Sequence, residues 1–172
     1  HAAAGGVGHF AVQIARHLGA TVAGTASASN QDFLRKLGVD EPIDYTATDL
    51  RTAVTPVDVV LDPIGGDTTL ASLGLLRPGG TLVSIVGGVK EPVLAAASEK
   101  GVTAKNYLVH SSGADMEALA GLLESGALVP HVEHRFSFGA MADAHAQVET
   151  GRTRGKVLVV PGDSGNTLSG AK

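Results

Sequence analysis

The stretch His1-Ala2-Ala3-Ala4-Gly5-Gly6-Val7-Gly8 opens the chain, and Phe10, Ile14 and Leu18 follow at helical spacing, with the small Ala11 and Ala15 between them, up to Gly19. A glycine turn leading into a helix exposes backbone N–H groups at the positive end of the helix dipole, where a phosphate sits without a side-chain clash. Gly5, Gly6, Val7 and Gly8 are the residues expected to offer them. Against the fingerprint G-x-G-x-x-G the turn reads Ala3-x-Gly5-x-x-Gly8, with alanine at the first glycine position. Where a strand belongs before the turn, only His1 and Ala2 stand.

Outward from the turn, β-type and helical patterns alternate. Residues 21–25 read as a short strand, and Ser27 to Asn30 as caps for a helix carrying Phe33, Leu34 and Leu37 and closed by Gly38. Residues 42–45, a polar helix near 49–52 and the near-continuous apolar run 57–62 come next; the last suits a strand buried on both faces. A helix over 67–76, a break at Arg77-Pro78-Gly79-Gly80 and a strand over 81–86 ending at Gly87-Gly88 complete the pattern. Beyond it, strands are expected at 102–109, 132–138 and 156–160, with helices at 115–123 and 140–148. Such alternation predicts a Rossmann-type, doubly wound α/β fold with a parallel sheet, its first strand largely missing. The polar Gly/Ser-rich segment 162–172 reads as a disordered tail.

The 172 residues allow one full domain and leave little for a second. Thirteen Lys+Arg against 17 Asp+Glu, scattered along the chain, leave no basic footprint for nucleic acid or anionic membrane. With no cysteine, disulfides, thiolate metal sites and thiol nucleophiles are excluded within this chain. The apolar runs fall far short of the ~20 residues a membrane span needs, so the expectation is a cytoplasmic protein. A small molecule is the expected ligand.

A dinucleotide of the NAD type asks for an acid about 20 residues after the glycine turn, to accept the ribose 2′-hydroxyl. The corresponding stretch is Thr25-Ala26-Ser27-Ala28-Ser29-Asn30, with no carboxylate before Asp32. A 2′-phosphate meets no like charge there and could be taken by Ser27, Ser29 or Asn30, with Arg35 or Lys36 near in sequence, which favours NADP(H). S-adenosylmethionine enzymes of similar fold usually want the same acid, and its absence counts against them.

These residues, with Val12-Gln13-Ile14-Ala15-Arg16, Leu37-Gly38-Val39-Asp40, Ile43-Asp44-Tyr45, residues 59–66, Leu76-Arg77-Pro78-Gly79-Gly80, Ala144-His145 and Gly155-Lys156-Val157, appear in an order that resembles the zinc-independent quinone oxidoreductases of the medium-chain dehydrogenase/reductase superfamily. The resemblance covers nearly the whole chain. It implies NADPH-dependent hydride transfer to a quinone or an α,β-unsaturated carbonyl. By the same resemblance Gly5 to Gly8 take the pyrophosphate, Ser27 the 2′-phosphate side, Tyr45 the adenosine phosphate, and Val86 and Gly87 the nicotinamide ribose. It further implies that 1–130 form the nucleotide domain and that 131–161 complete a catalytic domain absent from this chain; the exposed sheet edges expected without the first strand predict a homo-oligomer or a poorly stable monomer. The catalytic residues stay unassigned. A non-catalytic nucleotide-binding module or an inactive fragment is the alternative, and a methyltransferase a more distant one.

Other constellations carry less. His131 and His134 are spaced for a metal, but Pro130 and the β-like run after it argue for extended chain and solvent-facing imidazoles. His1 and His9 flank the glycine turn and could approach a pyrophosphate, while no set supplies the nucleophile, base and orienter of a triad. Asp62, ending a buried strand, is read equally as a functional group and as a cap for the following turn. Without the first strand, a gap is expected beside the centre of the sheet, with Phe136 and residues 157–160 left unpartnered.

Overall fold

The computed structural model describes residues 1–161. The expected disordered tail at 162–172 lies outside the described residues.

Helix α1 (Gly8–His17) grows from the glycine turn and buries Gly8, His9 and Val12. Strand β1 (Ala23–Ala26), helix α2 (Gln31–Lys36) and strand β2 (Glu41–Asp44) follow, β1 and β2 pairing in parallel from Ala23 opposite Glu41 to Ala26 opposite Asp44. Helix α3 (Leu50–Ala53), capped by the Asp49 carboxylate, leads to strand β3 (Val57–Asp62). Helix α4 (Asp67–Ser72), strand β4 (Leu76–Ser84), helix α5 (Glu91–Glu99) and strand β5 (Thr103–Asn106) build a parallel three-stranded sheet in the order β3-β4-β5. Helix α6 (Gly113–Glu124), strand β6 (Val132–Ser137), helix α7 (Met141–Glu149) and strand β7 (Lys156–Val160) close the chain, with β6 and β7 again parallel. The fold is α/β of Rossmann type, with every named pair of strands parallel.

Two apolar cores form. Ala3, Ala4, Val12, Ala26, Leu34 and Val39 pack around α1, β1 and α2. Val60, Leu73, Leu75, Leu76, Leu82, Val89, Val93 and Ala97 pack around the β3-β4-β5 sheet. Between them β1 and β3 are not hydrogen-bonded, and a cleft of about 570 Å³ lies along their facing edges.

Several expectations need correction. Arg77-Pro78-Gly79-Gly80 does not separate helix from strand; it lies inside β4 as an irregularity, the register stepping from Val57 opposite Leu76 to Val59 opposite Thr81. Gly79 takes a φ of +77°, open to glycine at no steric cost, and its N–H bonds Gly101 O at 2.9 Å, tying the irregularity to the end of α5. Helix α5 was not expected at all: Lys90-Glu91-Pro92 starts it, with proline in the first turn where its missing N–H costs nothing, and Val93 and Ala97 bury its inner face. The strand expected at 102–109 stops at Asn106, whose side chain bonds Val89 N and O and so turns to the neighbouring loop. Phe136 is not left unpartnered: it is 8% exposed, inside the packing of β6.

Candidate functional site

In a parallel sheet all strands end on one side, and the loops that follow them share that edge. Ser27 follows β1, Tyr45 follows β2, and Val86 and Gly87 follow β4. The glycine turn joins them, because Ala3 N donates to Thr25 O at 2.9 Å and the His1 nitrogen donates to Leu61 O at 3.0 Å. It is thereby pinned between the ends of β1 and β3.

Within the turn the donors divide. Gly5 N–H is spent on Ala2 O at 2.9 Å, so Gly5 does not offer the group expected of it. The N–H groups of Gly6, Val7 and Gly8 find no acceptor among the described residues. They stand at the start of α1, where the N-cap Val7 makes no side-chain cap bond. Open N–H groups at a helix start favour an anion. A cation stands beside them: Lys156 Nζ lies 3.3 Å from the point a side chain on Gly6 would occupy, and 5.6 Å from the centroid of Phe10. Sequence reading missed Lys156 because it is 150 positions away, and only the pairing of Gly155 N with Ala4 O at 2.8 Å brings β7 to the turn.

The serine cluster is exposed or partly so and bonded within itself, Asn30 Nδ2 donating to Ser27 Oγ at 3.2 Å and the Ser27 and Ser29 hydroxyls 3.2 Å apart. Neither Ser27 nor Asn30 caps a helix through its side chain, contrary to the capping expectation. Their polar atoms bond one another instead. Tyr45 is 57% exposed and Val86 52%, both open to a ligand. Val86 and Gly87 border a second crevice of about 370 Å³ shared with Ile64, Gly65 and Lys90, at the ends of β3 and β4.

His9 is a structural group and does not reach the phosphate position. It is wholly buried; Nδ1 donates to Gly5 O at 2.9 Å and Nε2 accepts from His131 N at 3.3 Å, which fixes the neutral tautomer. His131 likewise is no solvent-facing imidazole: its Nε2 is buried, and its ring meets that of Phe33 at a centroid distance of 4.6 Å and a tilt of 50°. His134 approaches Glu133 at 3.8 Å, and no cluster of three or more metal-ligating side chains occurs among the described residues. Asp62, fully buried, accepts from Ile64 N, Gly65 N and Thr69 Oγ1, which is the work of a cap. His1 Nε2 lies 2.7 Å from Ser72 Oγ, inside the fold.

Burial lowers the His9 pKa from its ordinary 6.5, outweighing the bond to Gly5, and Lys156 and His131 push the same way. A base whose folded pKa is depressed keeps its full contribution above its unfolded pKa and loses it as pH falls below about 6.5, where only the unfolded chain takes the proton. Thermal melts between pH 7.5 and 5 are therefore expected to show falling stability, at a slope of at most about 1.4 kcal/mol per pH unit from this group. A His9→Gln chain that still folds should lose that part of the slope.

The chain compares with known proteins as follows. The family model described as zinc-binding dehydrogenase matches residues 37–159. The synaptic vesicle membrane protein VAT-1 homolog of Homo sapiens is 36% identical over 94% of this chain and 49% of its own length. The chloroplastic NADPH-dependent alkenal/one oxidoreductase of Arabidopsis thaliana is 35% identical over 92% of this chain and 39% of its own. Among solved structures, the quinone oxidoreductase from Coxiella burnetii superposes with a TM-score of 0.87 at 36% identity, over 93% of this chain and 51% of that one. The chain spans about half the length of the curated relatives it matches. No helix among the described residues is long and apolar enough to cross a membrane.

Proposed function

From a chain that belongs to the zinc-binding dehydrogenase family, we propose the cofactor-binding half of an NADPH-dependent oxidoreductase acting on a quinone or an α,β-unsaturated carbonyl. The observation that carries this reading is the trio of open N–H groups at Gly6, Val7 and Gly8 with Lys156 beside them. They suit a pyrophosphate, and the carboxylate-free stretch Ser27 to Asn30 suits a 2′-phosphate. Similarity to an NADPH-dependent alkenal/one oxidoreductase and to a quinone oxidoreductase supports the same cofactor and the two acceptor classes.

In this assignment Gly6, Val7, Gly8 and Lys156 hold the pyrophosphate, Ser27 the 2′-phosphate side, Tyr45 the adenosine phosphate, and Val86 and Gly87 the nicotinamide ribose. The bound nicotinamide supplies the hydride. The chain's own contribution is to bind and orient it, since the redox chemistry belongs to the cofactor. Residues 1–130 form the nucleotide domain, and 131–161 belong with a catalytic domain that shapes the acceptor pocket. A homo-oligomer is part of the reading, supported by Leu108 and Val109, which are 87% and 81% exposed just beyond β5.

The test is a calorimetric titration of the chain with NADPH, NADH and S-adenosylmethionine. Saturable NADPH binding at least tenfold tighter than NADH is expected, with no heat from S-adenosylmethionine; NADH binding as tight as NADPH would remove the role given to Ser27. Lys156→Met should weaken NADPH and NADH about tenfold alike, because both carry the pyrophosphate. An effect on NADPH alone would move Lys156 to the 2′-phosphate instead.

A further inference from the structure

Residues 85–90 run from the end of β4 to the start of α5 and carry Val86 and Gly87 to the crevice at the ends of β3 and β4. A loop with Gly87 at a φ of +71° and Gly88 beside it has much backbone freedom to lose, so something must hold it. Two side chains of the sheet do. Ser84, wholly buried at the last position of β4, accepts through Oγ from Gly88 N at 3.0 Å and from Val86 N at 3.4 Å. Asn106, the last residue of β5, takes both backbone groups of a single residue: Oδ1 accepts from Val89 N at 2.9 Å and Nδ2 donates to Val89 O at 2.8 Å. Because Val89 presents one donor and one acceptor, this pairing also settles which amide atom is which. Ser84 lies opposite Asn106 in the ladder, and Tyr107 N donates to Ser84 O at 2.8 Å, so the two anchors are fixed to each other.

The base of the loop has little room to shift. A Cβ on Gly88 would lie 2.5 Å from Thr69 Oγ1, 3.0 Å from Ser84 Oγ and 3.2 Å from Gly65 Cα. One on Gly65 would lie 3.1 Å from Val86 Cγ2, so the loop rests on residues 63–66, which Asp62 holds. The side chain of Val89 is buried in the core of the β3-β4-β5 sheet. The tip is the opposite: Val86 is half exposed, and nothing stands within 4 Å of a Cβ on Gly87. Anchored at 84, 88 and 89 and open at 86 and 87, the loop presents its tip to the crevice in one place. Asn106 is itself exposed, so removing its amide frees the loop without opening a cavity in the core.

We propose, on the cofactor reading above, that Asn106 is a positioning residue for the nicotinamide end of the cofactor: it fixes Val89, and through Val89 the tip formed by Val86 and Gly87. Its amide oxygen and an amide N–H are spent on Val89, so it acts through the loop and not by touching the cofactor. The adenosine end depends on the glycine turn, Ser27 and Tyr45, none of which Asn106 bonds. Its loss should therefore be felt at one end of the dinucleotide only. A ligand held at both ends loses affinity when one end of its site must be ordered on binding.

The experiment titrates the parent chain and Asn106→Ala with NADPH and with 2′,5′-ADP, which keeps the adenosine end and lacks the nicotinamide. NADPH binding should weaken about tenfold in the variant, the order of losing two ordinary hydrogen bonds that hold the tip, while 2′,5′-ADP affinity stays within about twofold. The emission of bound NADPH, which reports the surroundings of the reduced nicotinamide, should move toward that of the free cofactor, and hydrogen exchange at Val89 should quicken. If the alanine chain fails to fold, Asn106→Asp, which keeps the acceptor for Val89 N and loses the donor to Val89 O, must show the same split between the two ligands. Equal weakening of both ligands would make Asn106 a structural residue and overturn the proposal. Unchanged NADPH affinity and emission would overturn it too, as would a parent chain that binds NADPH no tighter than 2′,5′-ADP. A parent chain that binds neither ligand would overturn the cofactor reading itself, and the role of Asn106 with it.

Discussion

A Gly8→Ala chain is expected to lose measurable NADPH binding and about 3 kcal/mol of stability, the upper end of what forcing one extra methyl into a packed site costs. A Cβ on Gly8 would overlap Ala2 O and lie 2.8 Å from Ala3 Cα. Both neighbours are backbone, and neither can swing aside. Ala2 is itself held at a φ of +49°, the one non-glycine residue with positive φ among those described, and its carbonyl accepts from Gly5 N. Relief of the overlap would therefore shift Ala2, break that bond and move the three open N–H groups together. Gly6→Ala makes the contrast: its Cβ would meet Gly155 O at 3.2 Å and the flexible end of Lys156 at 3.3 Å, so a shift of a few tenths of an ångström accommodates it. That chain should fold with near-parent stability and bind NADPH more weakly, not negligibly. Circular-dichroism melts with calorimetric titration on both chains check the order. A Gly8→Ala chain that binds like the parent would mean that the turn does not pack as described.

The same contrast shows what the sequence could reveal. Periodicity and glycine placement announced the turn, the helix from it, and the strands at 57–62 and 156–160, because these elements carry their own local signals. Helix α5 goes unread although its alanines and its first-turn proline favour a helix, and burial of Val93 and Ala97 fixes its inner face. The division of donors inside the turn was equally hidden. Whether Gly5 N–H faces a ligand or Ala2 O depends on the φ of Ala2, which no alanine advertises. Lys156 became visible only through long-range pairing. Glu133 shows the same dependence: it accepts from the backbone N–H and guanidinium of Arg154, which itself sits 5.9 Å above the Phe33 ring. Burial raises the Glu133 carboxyl pKa, and the bonds and charge of Arg154 outweigh it, holding the group below its ordinary value. No spacing rule links residues 133, 154 and 33.

Asp62→Ala is expected to be the most destabilising single truncation at the site edge. The carboxylate is wholly buried at the end of β3 and accepts from Ile64 N at 2.9 Å, Gly65 N at 3.0 Å and Thr69 Oγ1 at 2.5 Å. Truncation leaves three donors without their acceptor, two of them in buried bonds, and hydrogen bonds to charged groups are worth roughly 1.5–3 kcal/mol each. Since such bonds in one network are not additive, a total near 4 kcal/mol is the order to expect. Asp62→Asn separates the roles. Its carbonyl oxygen can keep both backbone donors, and Thr69 can rotate to accept from the new amide, so the loss should stay near 1 kcal/mol. The loop held by these bonds, residues 63–66, borders the crevice shared with Val86 and Gly87, so NADPH affinity should fall with stability in the alanine chain and persist in the asparagine chain. Urea midpoints at unchanged m report the first quantity and titration the second. If Asp62→Asn kept its fold and affinity but, assembled in a full-length protein, lost turnover, the carboxylate would be acting on the reaction itself, and the cap would be only its support.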